Sequence, residues 1–320
     1  MNSTGRLNKY DNLKGFAILL VVLGHLCFYF NHYSVFFIHS IVNLVHLPIF
    51  FFVAGYFSKI GSNEPEKAFR RLLLPYIILC VVYWLFSAFV LNRMPDKPIF
   101  LYPGFALWFL ISLFTMKMFL PIFDRLKHPI IIAFVLALLV GYINPYYLGI
   151  SRTFVFMPIF LIGFYYKNLR AKISFDFENR YVTYLMAVIM IAVSVIVVLN
   201  VPFREISCKY HYIDPVLGIL MRLIVLTVII LNVLVVHKLM SDKESILTKF
   251  GRNSYAVYLL HPYVVDLIQK IFDPFFTHHF RIYFIGIFFI AFIIVYVLSR
   301  DAFTIYLNRI FDACYNILSK

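Results

Sequence analysis

Charged residues are scarce in this chain, and that scarcity excludes an ordinary soluble fold. Asp, Glu, Lys and Arg make up 14% of the 320 residues, whereas 62% are hydrophobic and the mean hydropathy is +0.87. Soluble globular domains carry roughly 25% charged and 45–50% apolar residues. A water-soluble core of this size cannot hide so much apolar surface. Lipid is therefore predicted to be the solvent for most of the chain.

Cysteine is also rare, and the motifs of several enzyme classes are missing. The four cysteines show neither CxxC nor Cys/His spacing, so no disulfide framework, structural zinc or other metal site is expected. The sequence has no glycine-rich nucleotide loop, no HExxH or GxSxG motif and no pair of catalytic carboxylates. The chemistry that depends on those motifs is not indicated.

Acidic residues number 15 against 29 basic ones, which gives a net charge of +14. In a soluble protein this excess suggests nucleic-acid binding. Here the basic residues lie in short loops between apolar runs, as the positive-inside rule of membrane proteins requires. No nucleic-acid partner is expected, and membrane lipids are the expected surroundings.

The apolar runs predict an all-α, polytopic integral membrane bundle of about ten transmembrane helices, with residues 1–320 as a single domain. A spanning helix needs about 20 mostly apolar residues. The predicted spans are 15–31, 38–57, 72–92, 101–123, 129–145, 153–166, 181–200, 213–236, 252–270 and 282–300. The sixth span is short for a bilayer.

The basic residues provide an independent test of this span count. If the N-terminus is cytoplasmic and the spans alternate, 20 Lys and Arg residues lie in inner segments, 7 lie in outer segments and 2 lie within spans. This asymmetry predicts that both termini are cytoplasmic, in a multi-pass protein of the plasma or inner membrane.

Five polar or aromatic side chains interrupt the apolar runs at one predicted depth, about 9–14 Å below the outer boundary. They are His25, His46, Trp108, Arg222 and His261. Ionisable groups within spans are candidates for function, so a buried polar site or a polar constriction is predicted. Arg222 needs a partner, for which Asp214 and Asp266 are candidates. The structural alternative is that the histidines bridge helices and that Trp108 packs or anchors.

The first helix carries the sharpest pattern. Steps of 3 and 11 residues place Asp11, Lys14 and His25 within about 60° of one another on one helical face. This face runs from a charged pair at the inner surface to a histidine deep in the membrane. Neutral imidazole accepts a proton from a hydroxyl at physiological pH, so His25 is the candidate general base.

At these residues the sequence resembles the acyltransferase-3 family of membrane O-acyltransferases, in particular its fucose 4-O-acetylase-like branch. The resemblance rests on blocks spread over nearly the whole chain: YDNLKGFAILLVVLGH at 10–25, HLPIFFFVAGY at 46–56, FRRLLLPY at 69–76, LWFL at 107–110, GRNSY at 251–255 and HP at 261–262. The family commonly has arginine where this chain has Lys14, and its Arg-x-x-Arg pattern is broken here by Ala68. Lysine makes a less secure phosphate contact than arginine because it lacks the bidentate fork.

The resemblance implies an acyl-CoA donor, such as acetyl-CoA, that enters from the cytoplasm as a co-substrate; no bound cofactor is implied. Arg70, Arg71 and Lys14 would hold its phosphates, and His25 would act as base or as a transient acyl carrier. The acceptor would be a hydroxyl of a surface or capsular glycan or of its lipid-linked precursor. Asp11, His46, Trp108, Arg222 and His261 would support the site or contact the acceptor.

Two other functions fit the same pattern of spans and buried polar residues. A transporter or flippase also uses intramembrane His and Arg along its pathway, although no inverted repeat is visible. A structural membrane subunit explains the spans but not the shared depth of the polar residues.

Overall fold

The protein is all-helical over the residues that its structure describes. A computed structural model describes residues 7–28, 32–94, 97–103, 106–143, 147–172, 180–278 and 280–319. Of these residues 82% are helical and none is in a strand. The prediction of an all-α fold is confirmed for this part of the chain. Residues 29–31, 104–105 and 144–145 of the predicted spans lie outside it.

The described residues form fifteen α-helices. They are α1 (Asn8–Phe28), α2 (Tyr33–Asn43), α3 (His46–Tyr56), α4 (Glu64–Ala68), α5 (Leu74–Leu85), α6 (Trp108–Asp124), α7 (Pro129–Leu139), α8 (Ile150–Lys172), α9 (Arg180–Asn200), α10 (Phe203–Ile206), α11 (Pro215–Leu239), α12 (Ile246–Arg252), α13 (Ser254–His278), α14 (Phe280–Leu298) and α15 (Asp301–Leu318). A π-helical turn, Phe69–Leu73, connects α4 to α5, and a second one, Phe86–Val90, follows the end of α5. A 3₁₀ turn, Val140–Tyr142, follows α7.

Within the described ranges, five helical segments are long and apolar enough to cross a membrane. They are Asn8–Phe28, Tyr33–Tyr56, Glu64–Val90, Tyr181–Asn200 and Pro215–Leu239. The pair Tyr283–Leu298 and Asp301–Leu318, bent by 59°, makes a sixth if it is counted as one span. Two of the other predicted spans correspond to short helices: α6 has 17 residues and α7 has 11, against the 20 or so that a bilayer needs. The predicted sixth span was too short, because α8 has 23 residues.

The second span contains a break that the sequence explains. Pro48 lacks the backbone N–H that would bond the Leu44 carbonyl in a continuous helix, and α2 ends at Asn43 while α3 begins at His46. The His46 Nδ1 bonds the Val42 carbonyl across this break at 2.5 Å. His46 is therefore the first residue of α3 and lies inside the candidate span Tyr33–Tyr56.

Helix α1 lies at the centre of the packing, against α2, α3, α12, α13 and α14. Asn12 ties its first turns to the segment before α12: its amide nitrogen donates to the Ser241 and Lys243 carbonyls, and its oxygen accepts from Ser245 and Thr248. Gly15 and Gly251 let the two helices approach closely, since a Cβ at either would meet backbone atoms of the other helix. The position of the Asp11–His25 face is fixed by these contacts.

A second pair of glycines sets the contact between α3 and α8. A Cβ built on Gly55 would stand 1.9 Å from the Phe160 carbonyl oxygen, and one on Gly163 would stand 2.1 Å from that of Phe52. Backbone atoms cannot move aside as a flexible side chain can. Small residues at such crossings permit the close packing on which helix association in lipid depends.

We expect Gly55→Ala to destabilise the folded protein by about 1–3 kcal/mol, the usual cost of overpacking. The measurement is thermal unfolding of the purified protein in detergent. Gly286→Ala on α14 is the matched control, because its added methyl group would meet only the end of the Ile290 side chain, at 4.0 Å. Equal unfolding temperatures for the two variants would show that the α3–α8 crossing is not tight.

Candidate functional site

The two predicted site histidines of α1 and α13 are in direct contact. The Nδ1 of His25 and the Nε2 of His261 are 3.0 Å apart, and the His261 Nδ1 lies 3.0 Å from the Val257 carbonyl. His261 is fully buried and His25 is partly buried. Residues separated by 236 positions in the chain therefore form one hydrogen-bonded pair.

The hydrogen bonds of this pair determine where its protons reside. A carbonyl oxygen only accepts, so the His261 Nδ1 carries a hydrogen and donates it to Val257. In a neutral imidazole the other nitrogen then accepts, so the His261 Nε2 accepts from the His25 Nδ1. The lone pair of His25 is thereby assigned to its Nε2. A histidine held in this tautomer is arranged to take a proton from a hydroxyl.

Two further histidines and an arginine surround the pair. His39 on α2 and His46 on α3 lie close enough to His25 to interact with it electrostatically, and so does Arg152 of α8. His39 also packs against Phe28 and Phe203. Although four histidines gather here, the described residues contain no set of three His, Cys, Asp or Glu side chains placed to hold a metal ion.

Trp108 joins this region through Arg152. The Arg152 guanidinium lies 4.3 Å from the centre of the Trp108 ring, and its Nε donates to the Ser207 carbonyl at 3.3 Å. Trp108 is the first residue of α6, and Leu101 and Tyr102 lie in a turn, so this helix begins seven residues later than the predicted span 101–123. Arg152 was missed because the sixth span was predicted to begin at 153, which made this arginine appear to be a loop charge. Its neighbours in the sequence give no other signal.

The predicted partners of Arg222 were wrong. Asp214 instead caps α11 by accepting from Val216 and Leu217, and Asp266 accepts from the Tyr83 hydroxyl. The carboxylate beside Arg222 is Glu205 of α10, at 3.8 Å. Glu205 lies in a loop that hydropathy places outside the spans, so a search for partners within spans overlooks it.

At the end of the bundle that holds the start of α1, the predicted charged pair is confirmed. Lys14 and Asp11 form an ion pair of 2.8 Å, as their positions one helical turn apart predict. Asp11 is only 3% exposed and also faces Arg252 of α12 at 3.9 Å. The Lys14 ammonium is partly neutralised by this carboxylate, which weakens it as a phosphate contact.

Arg70 and Arg71 lie on the π-helical turn Phe69–Leu73, and local sequence explains part of its geometry. Pro75 cannot supply the N–H that would bond the Arg71 carbonyl in an α-helix, and the Tyr255 hydroxyl donates to that carbonyl instead, at 2.9 Å. π-Helical turns of this kind are frequent at functional sites. This contact connects Arg71 to the first turn of α13.

The side chains of both arginines are held by α15, which the sequence did not predict as an element. Arg70 pairs with Asp312 at 3.0 Å and lies over the Tyr315 ring, and the Arg71 Nη1 donates to Asn308 at 2.7 Å. One face of α15 thus positions the two predicted phosphate-binding groups. An anion that binds Arg70 has to compete with the Asp312 carboxylate.

A row of aromatic side chains on α13 connects Arg71 with the histidine pair. Tyr255 contacts the Arg71 backbone, and the next turns of the same helix carry Tyr258 and then His261, whose rings are 6.0 Å apart. Six residues from Tyr255 to His261 correspond to about 9 Å along the helix. Tyr258 and His261 are buried, as are Ala17 and Val21 on the face of α1 between Lys14 and His25. A ligand arm that runs along either helix therefore has to part neighbouring helices.

Comparison with protein families gives one result. A family model described as an acyltransferase domain matches residues 7–300. That range includes every predicted site residue and extends from α1 through α14. Comparisons with curated proteins and with solved structures give no match.

Proposed function

This chain belongs to the acyltransferase domain family, and from that premise we propose that it moves an acyl group, in the first instance acetyl, from acyl-CoA to a hydroxyl group of a glycan. Its family and its apolar helices make it a membrane acyltransferase. The acceptor that we propose is a surface or capsular glycan or its lipid-linked precursor. The observation that supports this proposal best is the pairing of His25 with His261.

In the proposed reaction the acceptor hydroxyl attacks the thioester carbonyl carbon. Its proton passes to the Nε2 of His25 as the new C–O bond forms. The C–S bond then breaks, and the proton returns to the departing CoA sulfur. His261 stabilises the transient imidazolium by accepting from its Nδ1, which is the role that the third member plays in hydrolase triads.

Arg152 is the group best placed to stabilise the negative charge that develops on the thioester oxygen. Its positive charge lies near His25, and stacking on Trp108 together with the bond to Ser207 holds its guanidinium in place. A preorganised cation in a site of low polarity stabilises a developing oxyanion strongly, because it need not reorient during the reaction.

For the donor, we propose that Arg71 and Arg70 hold the CoA phosphates, with Lys14 in a lesser role because of its pairing with Asp11. The pantetheine arm would follow the aromatic row of α13 toward His261. Charge-assisted bonds to phosphate are the strong contacts in such a site, and guanidinium is the preferred donor.

We further propose that the chain is a single domain, 1–320, in the plasma or inner membrane, with both termini cytoplasmic and about ten crossings. Contacts support the alternation of helix ends. Tyr10 stacks on Tyr56, and Tyr166 bonds His237, so the start of α1 and the last turns of α3, α8 and α11 lie together. At the other end, His39 packs on Phe203, which joins α2 to α10.

The direct test of this function is an assay of the purified protein with radiolabelled acetyl-CoA and a glycan extract. We expect label in the glycan and release of free CoA in equal amounts. Mass spectrometry of surface glycans from cells with and without the protein should show the matching loss of acyl groups. Absence of any CoA binding would contradict the proposal, because a transporter or scaffold needs no acyl donor.

Replacing Arg71 with alanine should raise the KM for acyl-CoA by roughly 10- to 100-fold, since a hydrogen bond to a charged group contributes about 1.5–3 kcal/mol. The Asn308→Ala variant tests whether the orientation of Arg71 matters in addition to its charge. It removes the hydrogen bond that orients the Arg71 side chain but keeps the guanidinium charge. Arg309→Ala, an exposed arginine on α15, is the control. An unchanged donor KM in Arg71→Ala would exclude Arg71 from the donor site.

A further inference from the structure

Arg222 is a permanent charge without exposure to solvent. Its side chain has 0% exposure, and two of its three guanidinium nitrogens, Nε and Nη1, have no hydrogen-bond partner. The third, Nη2, donates to the Tyr210 carbonyl at 3.2 Å and lies 3.8 Å from Glu205. Guanidinium cannot lose its proton in a protein, and an incompletely paired buried charge is strongly destabilising. An anion at this position would remove that penalty.

Arg204 lies on the loop that contacts Arg222, the segment 203–212. Its Nη2 donates to the His211 carbonyl at 3.0 Å and its guanidinium lies over the Tyr210 ring. Its Nε is also buried without a partner. Arg152 contacts this loop from the other side through the Ser207 carbonyl. Backbone carbonyls of one short loop thus hold three guanidinium groups.

One carboxylate faces these three cations, and it is a weak counter-charge. The Glu205 Oε2 has no hydrogen-bond partner. Burial raises the pKa of the Glu205 carboxyl above its ordinary value, although Arg222 and Arg204 act in the opposite direction. The cluster therefore carries at least two positive charges in excess. Repulsion between neighbouring cations is relieved when an oxyanion accepts from several of them.

The loop also lies beside the histidine pair. Phe203 packs on His39, and Arg152 interacts electrostatically with His25. Arg71, in contrast, lies at the other end of the α13 row from His261. An anion bound at the loop would therefore be part of the molecule that approaches His25 from the end opposite the donor.

We propose that Arg222 and Arg204 form a binding site for an oxyanion of the acceptor, a phosphate or a carboxylate. This inference rests on the proposed function and narrows it: the acceptor is an anionic glycan or a glycan on a lipid diphosphate. The oxyanion accepts from the Nε and Nη1 of Arg222 and the Nε of Arg204, and it places a neighbouring hydroxyl near the Nε2 of His25.

Binding to the purified full-length protein tests the site without any reaction. The probes are a short isoprenyl diphosphate with the matching isoprenol, and glucuronate with glucose, each added during thermal unfolding in detergent. We expect a concentration-dependent rise in unfolding temperature with one anion and none with its neutral counterpart. The diphosphate response indicates a lipid-linked acceptor, and the glucuronate response indicates an acidic sugar. Equal effects of the anions and the neutral probes would overturn the site.

Variants locate the site within the protein. Arg222→Gln and Arg204→Gln should each abolish the response to the effective anion, and the exposed Arg93→Gln should retain it. A response that persists in both cluster variants would overturn the proposal. Arg204 is only partly buried, so Arg204→Gln provides the decisive comparison if Arg222→Gln does not fold.

Kinetics separates this inference from the proposed function. With the effective anionic acceptor, Arg204→Gln should raise the acceptor KM at least tenfold and change the acyl-CoA KM less than twofold. If anion binding depends on Arg222 and Arg204 but the protein never transfers an acyl group, the proposed function is refuted and the anion site remains supported. If the protein transfers acyl groups equally well to neutral and anionic acceptors, and the variants do not change this transfer, the anion site is refuted and the proposed function remains supported.

Discussion

Replacement of His25 with alanine is expected to reduce acyl transfer by roughly 10²- to 10⁴-fold, the usual contribution of a general base. The Nε2 of His25 carries the lone pair because His261 accepts from its Nδ1 and Val257 accepts from His261. Without the imidazole, the hydroxyl loses the base that the proposed reaction assigns to it. The measurement is kcat for transfer from radiolabelled acetyl-CoA by the purified variant.

The control for this experiment has to exclude loss of the fold. His128→Ala removes an exposed histidine just before α7 and should leave kcat unchanged. The His25→Ala protein should reach the membrane in normal amounts and bind acetyl-CoA as the unaltered protein does. Glycan acylation in cells that contain only His25→Ala would refute the catalytic role.

Replacement of His261 with leucine is expected to lower kcat by roughly 10- to 100-fold, because a hydrogen bond to a charged group contributes about 1.5–3 kcal/mol. Leucine is close to histidine in size but offers no acceptor, so the His25 ring loses both its fixed tautomer and the stabilisation of its cation. The KM for acyl-CoA should stay constant, because Arg71 and Arg70 are unaffected.

The matched variant is His261→Gln, whose side-chain oxygen can accept from the His25 Nδ1. It should recover a measurable part of the activity that leucine loses. Since both substitutions replace a fully buried side chain, a difference between them reflects the acceptor and not the packing. Equal activities of the two variants would show that His261 serves only to fill space.

The α1 face shows which contacts helical periodicity can predict. A period of 3.6 residues predicts the Asp11–Lys14 pair, and the two side chains do form an ion pair. Periodicity also places His25 on that face. It does not predict that His261, 236 residues away, supplies the acceptor for His25, because the relative rotation of two helices is not encoded in either one alone.

The predicted helix boundaries differ from the observed ones where the helices are not continuous. His46 follows the break caused by Pro48, and Trp108 begins α6. Both side chains nevertheless reach the region of His25, by routes that hydropathy cannot foresee: His46 bonds Val42 across the break, and Arg152 covers Trp108. Helix α15 was also missed. Its polar residues Asn308 and Asp312, which contact Arg71 and Arg70, interrupt the apolar run that marks a span.

The sequence by itself determined the helical membrane class, the charged pair on α1 and which histidines and arginines are candidates for a functional site. These depend on local composition and helical period. Only the tertiary structure decided that His25 meets His261, that Arg222 faces Glu205 and that Arg152 stacks on Trp108. The reason is physical: close approaches at glycines such as Gly55 and Gly251 set how the helices cross, and short loops then bring in residues that no pattern within a single helix connects.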